Sequence, residues 1–365
     1  MPSIPLVTRY PGTGSLPLAG IATLPTPIDP FRAEWPGEPI GRVFVKRDDV
    51  TSPVYGGNKV RKLDLLLGDA LAKGASSVLT FGAYGSNHAL ATAVHARALG
   101  LTPHVVLSPQ EPGPYAPATL LAHAGLGTVL HLTSGWDGRR EAVRAMRAIA
   151  EADGAEPYVI PMGGSNALGA VGYVNAAFEV AEQVRVSAGE LVPPDVVYVA
   201  GGTLGTAIGL AVGFAAAGAA TRVEAIRVTP TELANMEVAH DLAEKTIALL
   251  RSRDERFPDL GFPDLAFTLR DDHFEPGYGV VTPETEEAVA LAAQAGLRLE
   301  TTYTGKAFSA MLEDARRGRL RRDDVVLFWD TYSSAPKPAP GPIEALPPVL
   351  QAYIAECEHL FGEGR

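Results

Sequence analysis

The chain has 365 residues, 46% of them hydrophobic and 20% charged, with a formal net charge of −11. That describes a folded globular protein long enough for two domains, and it excludes a disordered chain. The acidic balance argues against a nucleic-acid surface, which needs clustered Lys and Arg; the arginine-rich run from Arg316 to Arg322 reads as a solvated helix end.

The opening residues, Met1 to Arg9, hold no basic segment followed by an apolar stretch, and no apolar run of ~18 residues occurs anywhere. Neither a secretory signal nor a membrane span is expected, and a cytoplasmic location follows. The proline-rich first 40 residues are expected to wrap the surface. A single cysteine, Cys357, permits neither an intrachain disulfide nor a cysteine metal cluster, and no metal is expected.

Gly56-Gly57-Asn58-Lys59-Val60-Arg61-Lys62 is a glycine-rich turn opening a helix whose apolar face is Leu63, Leu66, Leu67, Ala70 and Leu71. The positive end of the helix dipole disfavours cations there by roughly 0.3–1 kcal/mol. An anion is therefore expected beside Lys62, and at Lys59 a covalent bond that consumes the amine. The plainer alternative is two solvated lysines starting a surface helix.

Apolar β-branched runs at 78–81, 104–107, 128–132 and 158–160 predict short buried strands, with helices near 88–99, 116–125 and 139–152. A second series follows: a helix near 170–188, strand 196–200, helix 205–218, strand 223–228, helices near 231–252, 283–296 and 305–317, and strand 325–329. The alternation predicts an α/β chain with two open, twisted sheets of parallel type and helices on both faces. Pro336 to Pro342 is expected to be a linker.

Strand-to-helix turns carry the other motifs. In Gly85-Ser86-Asn87-His88 the polar side chains reach a crevice beyond the carboxyl edge of a sheet, or else cap a helix. His88 reads as a crevice residue or a satisfied core histidine. The residues Gly201, Gly202, Thr203, Leu204, Gly205 and Thr206 run from strand to helix and are expected to form a phosphate cup from backbone N–H groups, or else only tighten the turn. This is not the GxGxxG of a dinucleotide site, and no ribose-binding acid follows the next strand, which disfavours a nucleotide-dependent oxidoreductase. Tyr278, and Tyr303 in Tyr303-Thr304-Gly305-Lys306, offer aromatic faces and phenolic protons, or are buried structural tyrosines.

With these motifs in this order, residues 40–332 resemble the tryptophan-synthase-like (fold type II) pyridoxal-phosphate enzymes, specifically the family of 1-aminocyclopropane-1-carboxylate deaminase and D-cysteine desulfhydrase. The resemblance implies pyridoxal 5′-phosphate held covalently by Lys59, which also shuttles the α-proton, with Lys62 and the turn from Gly201 to Thr206 on the phosphate. It implies Asn87 on the 3′-oxygen, Tyr303 against the ring and Thr331 near the pyridine nitrogen. Ser86, Asn87, His88 and Tyr278 then bind substrate, and Ser86, Tyr278 and Tyr303 join Lys59 in catalysis. It also implies a homodimer acting on a small amino acid, with a small domain over 51–164 inserted into a large domain made of 1–50 and 165–365.

Two departures alter the substrate pocket. Tyr84-Gly85 stands where the family usually has Ile-Gln, leaving room for a larger substrate side chain. Asp330-Thr331-Tyr332-Ser333 stands where many members have His-Thr-Gly-Gly, which puts a carboxylate and a ring beside the cofactor, with Asp330 within reach of the ring nitrogen. His88 and Thr304 follow the desulfhydrase-like branch rather than the Gln and Glu of the deaminase-like one. The expected reaction is α,β-elimination of a small amino acid, releasing the β-substituent, ammonia and a 2-oxo acid. Ring-opening deamination, racemisation and a non-catalytic role in binding the cofactor or an amino acid are the alternatives.

Overall fold

The computed structural model describes residues 4–33, 41–135 and 138–362, so Met1 to Ser3 and the proline-rich residues 34–40 lie outside the described residues. In chain order the elements are α1 (Pro5–Arg9), β1 (Ile28–Pro30), β2 (Arg42–Arg47), α2 (Lys59–Ala72), β3 (Ser77–Ala83), α3 (Asn87–Ala98), β4 (Thr102–Ser108), α4 (Ala116–Gly125) and β5 (Val129–Leu132). Next come α5 (Arg139–Asp153), β6 (Tyr158–Val159), α6 (Ala167–Val186), β7 (Val196–Gly201), α7 (Gly205–Ala216), β8 (Arg222–Arg227) and α8 (Met236–Arg253). The last are β9 (Phe267–Arg270), α9 (Pro283–Gln294), α10 (Thr304–Arg316), β10 (Val325–Asp330) and α11 (Pro348–Phe361).

The strands make two sheets. One has the order β5-β4-β3-β6 and is parallel; the other has the order β1-β2-β10-β7-β8-β9 and is parallel except at β1, which runs antiparallel along β2. In the larger sheet β7 and β10 are buried at every residue, as strands covered on both faces must be. Val174, Ile208 and Phe214 of α6 and α7 pack on one face, and Leu291, Phe308 and Met311 of α9 and α10 on the other. On the smaller sheet, α2 and α3 pack Leu63, Leu66, Leu67 and Leu90 against Val78, while α4 and α11 bring Leu120, Leu350 and Ile354 to Val105 and Leu107.

The proline-rich N-terminus is more than a surface wrap. Leu6, Tyr10 and Leu16 are buried in the core beside α6, and residues 42–47 supply β2, paired with β10 along its length. Pro336 to Pro342 does lack helix and strand, and Gly341 N donates to Leu121 O at 2.8 Å, seating the segment against α4.

A buried ionic network stands behind the Lys59 turn. The Arg61 guanidinium donates to Asp48 (2.7 Å) and Glu179 (3.0 Å), Lys46 Nζ donates to Glu179 (2.6 Å), and Tyr173 Oη and Trp329 Nε1 both donate to Asp48 (2.7 Å). Burial pushes the Glu179 carboxyl up, but Arg61 and Lys46 prevail and hold it at about 2. The network ties β2, α2, α6 and β10 together and fixes the start of α2 against the carboxyl ends of the large sheet. In an open α/β sheet, that edge is where ligand crevices form.

Candidate active site

At Gly57 the backbone has φ of +90°, and a Cβ there would stand 2.9 Å from Thr331 O. Only glycine accepts both conditions. Asn58 N then donates to Thr331 O at 3.1 Å, and α2 begins at Lys59. Lys59 Nζ donates to Asn58 Oδ1 at 2.8 Å, while Asn58 Nδ2 donates to Thr206 Oγ1 at 3.0 Å. Lys59 lines a cavity of about 780 Å³, mouth included. Burial lowers its amine to about 8, with the Glu300 carboxylate pulling the other way, so a useful fraction is neutral near pH 7.

Lys62 Nζ faces the same cavity, is 2% exposed, and donates to Gly163 O (3.1 Å) and Ser165 Oγ (3.2 Å). Among the described residues no carboxylate pairs with it. Burial, then the charge of Lys59, pushes its pKa well down. The glycine at the start of α7 lies directly beneath: a Cβ on Gly205 would sit 2.8 Å from Lys62 Nζ and 2.5 Å from Ser165 Oγ. Leu204, in the left-handed region at φ 60°, turns the chain into the helix, and Thr203 Oγ1 bonds Ser165 Oγ at 2.7 Å. A buried amine without an anion, above a helix N-terminus floored by glycine, fits a phosphate. Gly202, Thr203, Leu204 and Thr206 line the cavity, whereas Gly201 closes β7 behind them.

Across the cavity, Ser86 both caps α3, accepting from Ala89 N at 3.2 Å, and lines the wall. Asn87 lines it too, its Oδ1 accepting from Tyr55 Oη at 3.3 Å. His88 shares a hydrogen bond with Thr80 Oγ1 through Nε2 (2.8 Å); burial, then the charges of Lys59 and Lys62, keep it neutral. Tyr278 and Tyr303 meet hydroxyl to hydroxyl at 2.9 Å with nearly perpendicular rings. Burial lifts Tyr278 to about 12, opposed by the Tyr303 hydroxyl, and lifts Tyr303 further. Tyr303 packs over Gly202, where a Cβ would come within 3.1 Å of its ring. Lys306 Nζ secures the Tyr278 loop through Phe274 O (2.8 Å) and Gly277 O (2.9 Å).

Several functional positions escape the sequence analysis. Glu300 lines the cavity, and its carboxylate accepts from the backbone N–H groups of Thr302 (2.7 Å), Tyr303 (2.9 Å) and Thr304 (2.8 Å), holding the loop that carries Tyr303. An acid just before a helix start is its sequence signal. Asn58 lies inside a quoted motif but has no role assigned until its two side-chain bonds are seen.

Two expectations need correction. Asp330 is not among the cavity's lining residues. It is wholly buried beside Asp49, Oδ1 accepts from Tyr332 N at 3.2 Å, and Oδ2 has no hydrogen-bond partner. Burial, then the Asp49 charge, keeps it protonated well above the usual carboxylate range. Thr331 and Tyr332, the next two residues, do line the cavity. Gly85 leaves no room either: a Cβ there would lie 3.2 Å from Ala116 Cβ and 3.3 Å from both ends of the Gln110 amide, and Gly85 N donates to Gln110 Oε1 at 2.9 Å. Outside the cavity, Asp272, His273 and Glu313 converge, but arginines already occupy both carboxylates: Arg270 bonds Asp272 at 2.7 Å and Arg317 bonds Glu313 at 2.6 Å.

Residues 21–331 match a family model described as pyridoxal-phosphate dependent enzyme. A D-cysteine desulfhydrase of Salmonella paratyphi A is 36% identical over 337 residues, 89% of this chain and 94% of that protein; one from Salmonella newport is 35% identical over the same shares. Among solved structures, an ACC deaminase homologue aligns with a TM-score of 0.74 at 29% identity, over 92% of this chain and 96% of that one. The cysteine synthase of Entamoeba histolytica aligns at 0.56 with 15% identity over 94% and 95%, a likeness of fold alone.

Proposed function

The chain belongs to the pyridoxal-phosphate dependent enzymes, and on that premise we propose that it is a lyase eliminating the β-substituent of a small amino acid, as its D-cysteine desulfhydrase relatives are named for doing. The observation that carries this is the cavity itself: in one wall Lys59, whose amine burial lowers to about 8, and, in another, a buried Lys62 without an anion above the N-terminus of α7. Bound pyridoxal phosphate supplies the electron sink for the charge left when an α-proton departs.

This chain's residues do the rest. Lys62 Nζ and the turn from Gly201 to Thr206 hold the phosphate. Lys59, with its amine lowered to about 8, is neutral often enough to bond an aldehyde and, once released, to take the α-proton. Asn87, its Oδ1 engaged by Tyr55, would have Nδ2 available for the 3′-oxygen. Ser86 Oγ already accepts from Ala89 N, so its proton is free for the substrate carboxylate. Neutral His88 backs that pocket without adding charge. Tyr303, hydrogen-bonded to Tyr278, hands a proton to the departing substituent, and both hydroxyls stay protonated at neutral pH. Thr331, on the cavity wall, would offer a hydroxyl to the ring nitrogen, and Asp330, which does not line the cavity, would leave that nitrogen without a carboxylate partner, an environment that would favour elimination over transamination. The reading places the work in a cytoplasmic homodimer with an inserted small domain over residues 51–164.

The test is release of 2-oxo acid by the purified protein from both enantiomers of cysteine, from β-chloroalanine and from 1-aminocyclopropane-1-carboxylate. Release from a β-substituted alanine is expected. Release from the cyclopropane compound alone replaces the reading with ring-opening deamination.

A further inference from the structure

A second cavity of about 390 Å³, mouth included, adjoins the first and shares Asn87, Tyr278, Glu300 and Tyr303 with it. A substrate seated on Ser86 and Lys59 that extends past Tyr303 must enter this chamber. Its far wall is built by Gly85, Gln110, Tyr115, Gly279 and Thr302.

The hydrogen-bonding capacity of that wall is lopsided. Both Glu300 carboxylate oxygens are engaged by the backbone N–H groups of their own loop. The Tyr115 carbonyl accepts from the half-buried Lys337 Nζ at 3.0 Å, which leaves a cation behind the wall. Gln110 Oε1 accepts from Gly85 N at 2.9 Å, and this bond fixes which way the amide points. Nε2 therefore turns to the Gly279 side of the chamber, 3.8 Å from where a Cβ on Gly279 would stand, and its partners in the protein are a 3.5 Å contact with Glu111 O and the hydroxyl of Tyr353. The hydroxyl of Tyr353, beside it, donates to that same oxygen at 3.0 Å. The amide donor that this wall presents is Gln110 Nε2, beside the side chains of Thr302 and Tyr115, whose hydroxyls can donate as well as accept.

Resting on the elimination reading, we propose that Gln110 selects the substrate, and that the substrate is an amino acid whose β-substituent carries a hydrogen-bond acceptor, such as an acyl oxygen, in this chamber. A thiol or a chloride fills space there but accepts poorly, so the Gln110 donor goes unmatched. A site built to bond a polar group discriminates against analogues that lack it. The absent side chain at residue 85 and the amide at residue 110 form one feature, because the amide occupies the space that the glycine leaves.

The experiment compares the wild-type holoenzyme with Gln110→Glu and Gln110→Leu, using O-acetylserine and β-chloroalanine as both enantiomers. Gln110→Glu keeps an acceptor for Gly85 N and replaces the donor with a carboxylate that repels an acyl oxygen, so it removes recognition while retaining loop support. Gln110→Leu removes both. Dissociation constants come from the ligand-induced change in the visible band of the bound cofactor, and kcat/KM from 2-oxo acid release. The wild type should bind O-acetylserine more tightly than β-chloroalanine, and both variants should reduce that ratio roughly tenfold, the worth of one hydrogen bond. A wild type without the preference, or variants that shift both ligands equally, overturns the proposal. If neither ligand yields 2-oxo acid, the elimination reading falls, while the ratio of dissociation constants still decides the role of Gln110.

Discussion

Replacing Lys62 with methionine should have opposite effects on the apoprotein and the loaded protein. In the folded chain the ammonium is 2% exposed, its pKa is pushed well down, and its bonds go to one carbonyl and one hydroxyl. Folding must strip it of water or of its proton, a cost that methionine of similar length avoids. The thermal midpoint of the apo variant should therefore be unchanged or raised. With pyridoxal phosphate the balance reverses, because a charge-assisted hydrogen bond to the phosphate contributes about 1.5–3 kcal/mol, or about 10- to 150-fold in affinity. Absorbance titration of apoprotein with the cofactor reads that loss, and saturating cofactor should restore most of the turnover. An apo variant that melts several degrees lower while binding the cofactor as before would show Lys62 to be a structural residue and refute the phosphate assignment.

Arg61→Met should lower stability by about 3–5 kcal/mol in urea denaturation, since it leaves Asp48 and Glu179 buried against one lysine; a loss below about 1 kcal/mol would show the network to be dispensable. Asp330→Asn should be more stable than wild type at pH 7. The folded pKa of Asp330 is raised, so the native state binds the extra proton and stability falls as pH climbs above the unfolded value of about 3.9. The gap should close as denaturation is repeated toward pH 4, and a less stable variant at pH 7 contradicts the buried-acid assignment. Covalent reattachment of cofactor to apoprotein, followed by its visible band, should speed up through an apparent pKa near 8, where burial places the Lys59 amine; a rate still rising tenfold per unit at pH 9 would count against a lowered amine.

Buried parallel strands such as β3, β7 and β10 show in the sequence because they are near-continuous apolar runs. β2 does not, because Lys46 and Arg47 end it with charges, and the partner that makes burial of Lys46 possible is remote, Glu179 on α6. α11 hides behind a proline run, although its Leu350, Ile354 and Cys357 are buried. In the site, the glycine turns at Gly57 and Gly205 are local features and can be located from sequence. Gln110 cannot, because its place depends on an absent side chain 25 residues away.

The central claim is that Lys59 holds the cofactor at the junction of α2 and the two sheet edges. Borohydride reduction of the purified holoprotein, followed by peptide mass mapping, tests it most directly. The account predicts a single reduced pyridoxyl adduct on Lys59, in the tryptic peptide from Asp48 to Arg61. An adduct on Lys62 or Lys306, or none after reconstitution with excess cofactor, would contradict it.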